Sequence, residues 1–283
     1  HHQQQLAHKF FQRESEFLLC HSPLNSLHNH LQALRFGGRQ AELLAECPEV
    51  ARMVVNGCCE EDWPAVAALA EAHRQVLPSF GYHPWCIHER SDDWEAELNR
   101  MLDAHPAAVG EIGLDRWKEG LNYEGQEDVF VTQLRIAAER NLPASIHCLK
   151  AWGRILELLQ EGPIPERGFL LHSYGGPTEM VQAFAQLGAY FSFPGYFLRA
   201  AKGRHREAFK SVPADRLLIE TDAPDQRLPD ALNAYPLTDS AGEPMNHPAN
   251  LPVVYQGVAK ILETPLVALA EQVEDNFERL FGN

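Results

Sequence analysis

Long apolar runs are missing from this sequence. No stretch approaches the ~18 uninterrupted apolar residues that a membrane-spanning helix needs. The first residues also lack a basic segment followed by an apolar one, so neither a membrane span nor a secretion signal is expected. Basic residues are scarce: 24 Lys and Arg stand against 39 Asp and Glu, a formal charge of −15. A long nucleic-acid duplex would be repelled by such a surface, so any contact with nucleic acid must be local. The six cysteines form no repeated Cys-x-x-Cys pair and are too sparse for a small disulfide scaffold, so they read as reduced thiols. Together these absences point to the cytoplasm, with no membrane and no protein partner expected. Short-period repeats are absent too, which excludes a solenoid.

What is present suits a large single core. The chain has 283 residues, of which 45% are hydrophobic. The opening segment, residues 1–16, is polar and without a trustworthy period, and is read as a tail or cloning remnant. Residues 17–283 are read as one domain.

Within that domain, short apolar runs alternate with longer stretches of helical spacing, the pattern of repeated β-then-α units around a parallel sheet. Candidate strands are 17–27, 52–56, 76–81, 107–112, 143–147, 168–172, 189–193 and 216–221. Candidate helices lie over 63–72, 94–104, 126–140, 152–160, 177–187, 249–262 and 265–281. Such a series predicts an α/β fold, a single (β/α)₈ TIM barrel. Residues 225–248, polar and rich in Pro and Gly, read as a loop over the barrel mouth.

Function in such barrels collects at the C-terminal ends of the strands. There the sequence places His28 and His30 (first), His83 (third), Glu111 (fourth), His147 (fifth), His172 (sixth) and Asp222 (eighth). All are metal-ligand or proton-transfer types. His28 and His30 are two apart, so on an extended segment they face the same way. Glu111 lies in an apolar strand, where an unpaired carboxylate is costly to bury and a metal would relieve that cost. Its two oxygens suit it to bridging a pair of cations. His147 and His172 end adjacent strands, and Asp222 ends the strand that closes onto the first. Glu220, one period-2 step before Asp222, is a candidate to hold a ligand histidine from behind. Taken singly, each has a structural alternative: a surface histidine pair, a Glu satisfied by Arg or backbone amides, a hydrogen-bonded core histidine, a turn Asp before Pro224. The set, with its spacing, points to one or two divalent ions.

The chain resembles the TatD family of metal-dependent hydrolases. The resemblance rests on His28-Asn-His30, Gly81-Tyr-His-Pro-Trp85, Val109-Gly-Glu-Ile-Gly-Leu-Asp115, Ser145-Ile-His147, Leu171-His-Ser-Tyr-Gly-Gly176, Leu218-Ile-Glu-Thr-Asp-Ala-Pro224, Pro248-Ala-Asn-Leu251 and Asn276-Phe-Glu-Arg-Leu-Phe281, taken in that order. It implies that His28, His30, Glu111 and Asp222 hold one metal (Zn, Mg or Mn) and that Glu111, His147 and His172 hold another. By the same resemblance Asp222 handles the proton of the attacking water and His83 contacts substrate. The implied reaction is phosphodiester hydrolysis, in DNA or a small phosphodiester. Two other readings stay open: an ester or amide hydrolase, including one acting on aminoacylated tRNA, and a barrel without catalysis. A site bridged by a carbamylated Lys is disfavoured, because the fourth-strand position is Glu111.

Two positions depart from the family's pattern. Ser26 stands where Asp is usual, in a first strand that Pro23 and Asn25 also interrupt. Leu149 stands where many relatives have Arg, and the neighbouring Lys150 is expected to continue the strand with its side chain turned the other way.

Overall fold

The computed structural model describes residues 24–282. The expected N-terminal tail, and residues 17–23 of the expected first strand, lie outside the described residues.

Eight parallel strands form one sheet in strict sequence order: β1 (Leu24–Asn29), β2 (Val50–Asn56), β3 (Val76–Phe80), β4 (Ala108–Asp115), β5 (Ala144–Leu149), β6 (Phe169–Leu171), β7 (Ala189–Pro194) and β8 (Leu217–Glu220). Closure occurs at the C-terminal end, where Asp222 N donates to His28 O (3.0 Å) and His30 N donates to Ala223 O (2.8 Å). The result is the TIM barrel that the alternation of runs implies. Outside it lie α1 (Gln40–Ala45), α2 (Trp63–Ala72), α3 (Trp94–Ala104), α4 (Tyr123–Arg140), α5 (Trp152–Glu161), α6 (Val181–Gln186), α7 (Gly203–Phe209), α8 (Leu251–Ile261) and α9 (Leu266–Phe281). Among the described residues no single helix is long and apolar enough to cross a membrane. The bent pair formed by Pro248–Ile261 and Leu266–Phe281 passes by length and composition, and its apolar side chains are packed in the barrel's core.

Two short helices, α1 and α7, are not legible as apolar stripes. The span expected as one helix over 177–187 divides into a 3₁₀ turn, Thr178–Met180, and α6. The expected mouth loop, 225–248, is loop for most of its length and carries a small hairpin, Leu237–Thr238 with Pro244–Met245.

β1 shows how polar residues enter a buried strand. All six of its residues are buried, and its register with β2 shifts between Leu24 and Asn25 and again between Ser26 and Asn29. Asn25 N donates to Tyr255 Oη (3.2 Å), Tyr255 Oη donates back to Asn25 O (3.0 Å), and Asn25 Nδ2 donates to Glu274 of α9. Asn29 Nδ2 donates to Ser26 Oγ (3.0 Å), and Asn29 Oδ1 accepts from Thr221 Oγ1. The residues that break the apolar run are therefore paired with polar partners at the seam, which offsets the cost of burying them.

Several strand ends differ from expectation, and β5 runs two residues past His147 to Leu149. β1 continues through His28, leaving only His30 beyond it. β4 runs four residues past Glu111 to Asp115, with an irregular register between Val109 and Ile112 where Glu111 N donates to Gly57 O at 3.0 Å. Lys150 does not continue β5: it has a left-handed φ of 55° and turns the chain after Leu149.

Candidate metal centre

Glu111 is the hub of the strand-end residues. It is 2% exposed, and its two oxygens face different partners. Oε2 lies 3.1 Å from Nε2 of both His28 and His30. Those two nitrogens are 3.1 Å apart, and Asp222 Oδ1 lies 3.7 and 3.8 Å from them. Four donors at bond lengths of about 2.0–2.2 Å around a tetrahedral ion stand about 3.3–3.6 Å from one another. This first set has nearly that size. Oε1 lies 2.9 Å from His147 Nδ1 and 2.9 Å from His172 Nε2, which are themselves 3.2 Å apart. Three protein donors with an open fourth direction is the arrangement of a catalytic rather than a purely structural metal site.

The outer ring nitrogens show which way each lone pair points. His30 Nδ1 faces the Asn56 carbonyl at 2.9 Å, an acceptor only, so Nδ1 carries the hydrogen and Nε2 presents its lone pair inward. His147 Nε2 donates to Asp115 Oδ2 (3.1 Å), which leaves Nδ1 for the centre. His172 Nδ1 is turned toward Glu220 Oε1 at 3.6 Å, and Glu220 is held by the hydroxyls of Ser173 and Ser192. His28 Nδ1 lies 3.1 Å from the Asn56 side-chain amide, whose Oδ1 is buried and otherwise without a partner. With that amide turned, Oδ1 accepts from Nδ1–H and the His28 lone pair also faces inward.

His83 is different. Its Nδ1 accepts from the Trp85 backbone N–H (3.2 Å), so in the neutral ring the hydrogen sits on Nε2, which is 3.4 Å from Glu111 Oε1. Burial lowers its pKa from the ordinary 6.5 to about 4, which keeps the ring neutral. His83 thus offers a hydrogen-bond donor to the site where the other four histidines offer lone pairs.

Charges do not follow that division: despite burial, Cys58 and Glu111 raise His30, Asp115 and Glu111 raise His147, and Glu111 and Glu220 raise His172, so an ion taking those lone pairs would displace protons. Burial, and then the neighbouring His172, lower His28 to about 4; the two rings stack with centroids 4.0 Å apart. Burial opposes ionisation of Glu111, but the surrounding imidazoles outweigh it and hold the carboxyl well below its usual range. Asp222 goes the other way, pushed up to about 7 by burial despite His172 and His30. Its Oδ2 accepts from Gln226 Nε2 (2.6 Å), leaving Oδ1 toward the histidines.

The structure brings together all seven strand-end residues singled out in the sequence, and places Glu220 behind His172. Asp115 and Asn56 have roles the sequence reading gave to neither. Asp115 accepts from His147 Nε2, from Trp85 Nε1 (2.7 Å) and from the Trp117 and Lys118 backbone amides. A signal for it existed: Glu111, Gly113 and Asp115 are two apart and share a strand face. Asn56 carried none, because its carbonyl and amide act at once on two histidines of another strand.

Sequence and structure comparisons match this geometry to known proteins. A family model described as TatD related DNase matches residues 27–282. The chain belongs to the TatD family. It is 35% identical over 236 residues to the 3'-5' ssDNA/RNA exonuclease TatD of Shigella flexneri, covering 81% of this chain and 87% of that protein. To YjjV of Escherichia coli K12, described as an uncharacterized metal-dependent hydrolase, it is 27% identical over 260 residues, covering 90% and 96% of the two chains. The crystal structure of that TatD homologue superposes with a TM-score of 0.83 at 26% identity, covering 92% of this chain and 98% of the other. A TatD-family hydrolase of Entamoeba histolytica shares the fold, with a TM-score of 0.80 at 18% identity over 93% of this chain and 99% of that one. This TatD-family chain is therefore a metal-dependent hydrolase.

Proposed function

We propose that this TatD-family hydrolase cleaves phosphodiester bonds in single-stranded nucleic acid. In this reading His28, His30, Glu111 Oε2 and Asp222 hold one divalent ion, while Glu111 Oε1, His147 and His172 hold a second. The observation that carries it is the split of Glu111, each of whose oxygens faces a separate set of inward lone pairs. The donor set is nitrogen and oxygen only, which suits Zn²⁺ or Mn²⁺ more than a thiolate-seeking ion, and Mg²⁺ less readily because of its preference for oxygen. Bound ions of this kind polarise a phosphoryl oxygen and make a coordinated water acidic near neutral pH.

The protein's own groups do the rest. Asp222 takes the proton of the attacking water. His83 Nε2–H donates to a non-bridging phosphate oxygen, exchanging Glu111 for substrate. Asp115, Glu220 and Asn56 orient the imidazoles. Residues 17–283 act as one hydrolase domain, and residues 225–248 flank the bound strand. Binding is local despite the net charge: Lys118 Nζ lies 4.6 Å from the ring centre of Trp85, and Trp117 is 56% exposed beside it, a cation and an indole face at the mouth. The relatives named as single-strand exonucleases support this choice of substrate.

A panel of single-stranded DNA, single-stranded RNA, carboxylic esters and aminoacylated tRNA, each with Mg²⁺, Mn²⁺ or Zn²⁺, tests it. Metal-dependent cleavage of the single strands is expected. Ester or aminoacyl cleavage with intact nucleic acid would replace this reading with acyl hydrolysis. Failure to take up any ion at millimolar concentration would indicate a non-catalytic barrel.

A further inference from the structure

A second group of ligand-type side chains lies apart from the Glu111 centre. Cys59, three residues beyond β2, meets Cys86 and Glu89 from the segment that follows His83, and the two sulfurs and one carboxylate oxygen all lie within 4.8 Å of one another. Bond lengths of about 2.3 Å to sulfur place two thiolates about 3.8 Å apart on a tetrahedral ion. An inward shift of about 1 Å or less would therefore close the set.

The backbone around the group is already fixed. Asp62 accepts from the amides of Cys58 (3.0 Å) and Cys59 (3.3 Å). Glu60 takes the Ser91 amide (2.9 Å), the Ser91 hydroxyl (2.7 Å) and the Tyr82 hydroxyl, joining the segments that follow β2 and β3. His83 N donates to Cys58 O at 2.9 Å, which ties the same two segments beside the catalytic mouth. Cys59 is only 9% exposed, so its sulfur is held against Cys86 with little competition from water. Among the described residues Glu89 pairs with no Lys or Arg; its ionic neighbour is His88 at 3.5 Å.

We propose that Cys59, Cys86 and Glu89 form a separate site for a soft divalent cation of the zinc class, which cross-links the β2 and β3 loops. Coordination releases the thiol protons to solvent and changes no oxidation state. The thiolates supply sulfur ligands that the donors around Glu111 lack, which favours a softer ion than that centre requires. The site joins the two loops beside the mouth, so its role is to brace the loop that carries His83.

Cobalt(II) added to the full chain under reducing conditions separates this site from the barrel centre, because thiolate-to-cobalt absorption in the near ultraviolet arises only from sulfur ligands. One saturable equivalent with that band is expected. The band should vanish in Cys59→Ser and in the more exposed Cys86→Ser, weaken in Glu89→Gln, and persist in Cys58→Ser. Absence of the band in the reduced protein would overturn the proposal. So would a band lost in Cys58→Ser but kept in the other two, or a Cys59–Cys86 disulfide whose reduced form takes up no cobalt.

Discussion

Asp222 combines a left-handed backbone (φ 56°), a buried carboxyl raised to about 7, and one oxygen turned toward two histidines. Replacing it with Asn preserves shape and removes the proton acceptor. Turnover should fall by roughly 10²–10⁴-fold, with the thermal midpoint of the metal-free protein nearly unchanged. Full activity in metal-loaded Asp222→Asn would contradict its role. Asp115 acts through His147, so Asp115→Asn should weaken metal binding at the His147/His172 half by about 10–100-fold. A titration should find the His28/His30 half unaffected, which a general loss of stability could not produce. Most of the centre was legible at this scale, because a buried ionisable residue at the end of an apolar run is conspicuous. The supporting residues were less so: Asn56 works through a backbone carbonyl and an amide, and neither leaves a pattern in sequence.

The elements show why the strand ends, and not the helices, could be read. Apolar runs bounded by polar, ligand-type residues mark β4, β5, β6 and β8, whereas α1 and α7, of six and seven residues, are too short to show a stripe. β1 was the hardest strand, since Asn25, Ser26 and Asn29 find their partners just beyond β8 and on α8 and α9, more than 190 residues away for all but the internal Ser26–Asn29 bond. Gly113 shows the tolerance within β4. Its φ is +145°, and a Cβ there would stand 2.0 Å from the His147 carbonyl oxygen. Gly113→Ala must push β5 away and carry His147 with it. We expect a loss of at least about 2 kcal/mol in denaturant unfolding, with weakened metal uptake. An unchanged midpoint and affinity would show that the two strands can separate without cost.

At the scale of the molecule, the barrel gathers Glu111, Asp222, four buried imidazoles and the partly exposed His30 into one group inside a chain of net charge −15. Folding and metal binding should therefore be linked. An ion at 100 times its dissociation constant stabilises the native state by about 2.7 kcal/mol, which for a domain of this size is about 4–6 °C in thermal midpoint. Chelation should lower the midpoint by that much, and restoring Zn²⁺ or Mn²⁺ should recover it. No shift would mean that the cage closes without an ion. The fold class was visible in the sequence because alternation of runs is a property of the whole chain. The Cys59, Cys86 and Glu89 group was not, since nothing in their spacing shows that two loops meet.

The most direct test is anomalous diffraction from crystals of the full chain loaded with Mn²⁺. Two peaks should flank Glu111, one among His28, His30 and Asp222 and one between His147 and His172, and both should weaken or vanish in Glu111→Gln. An empty centre, or peaks that bypass Glu111, would contradict the account.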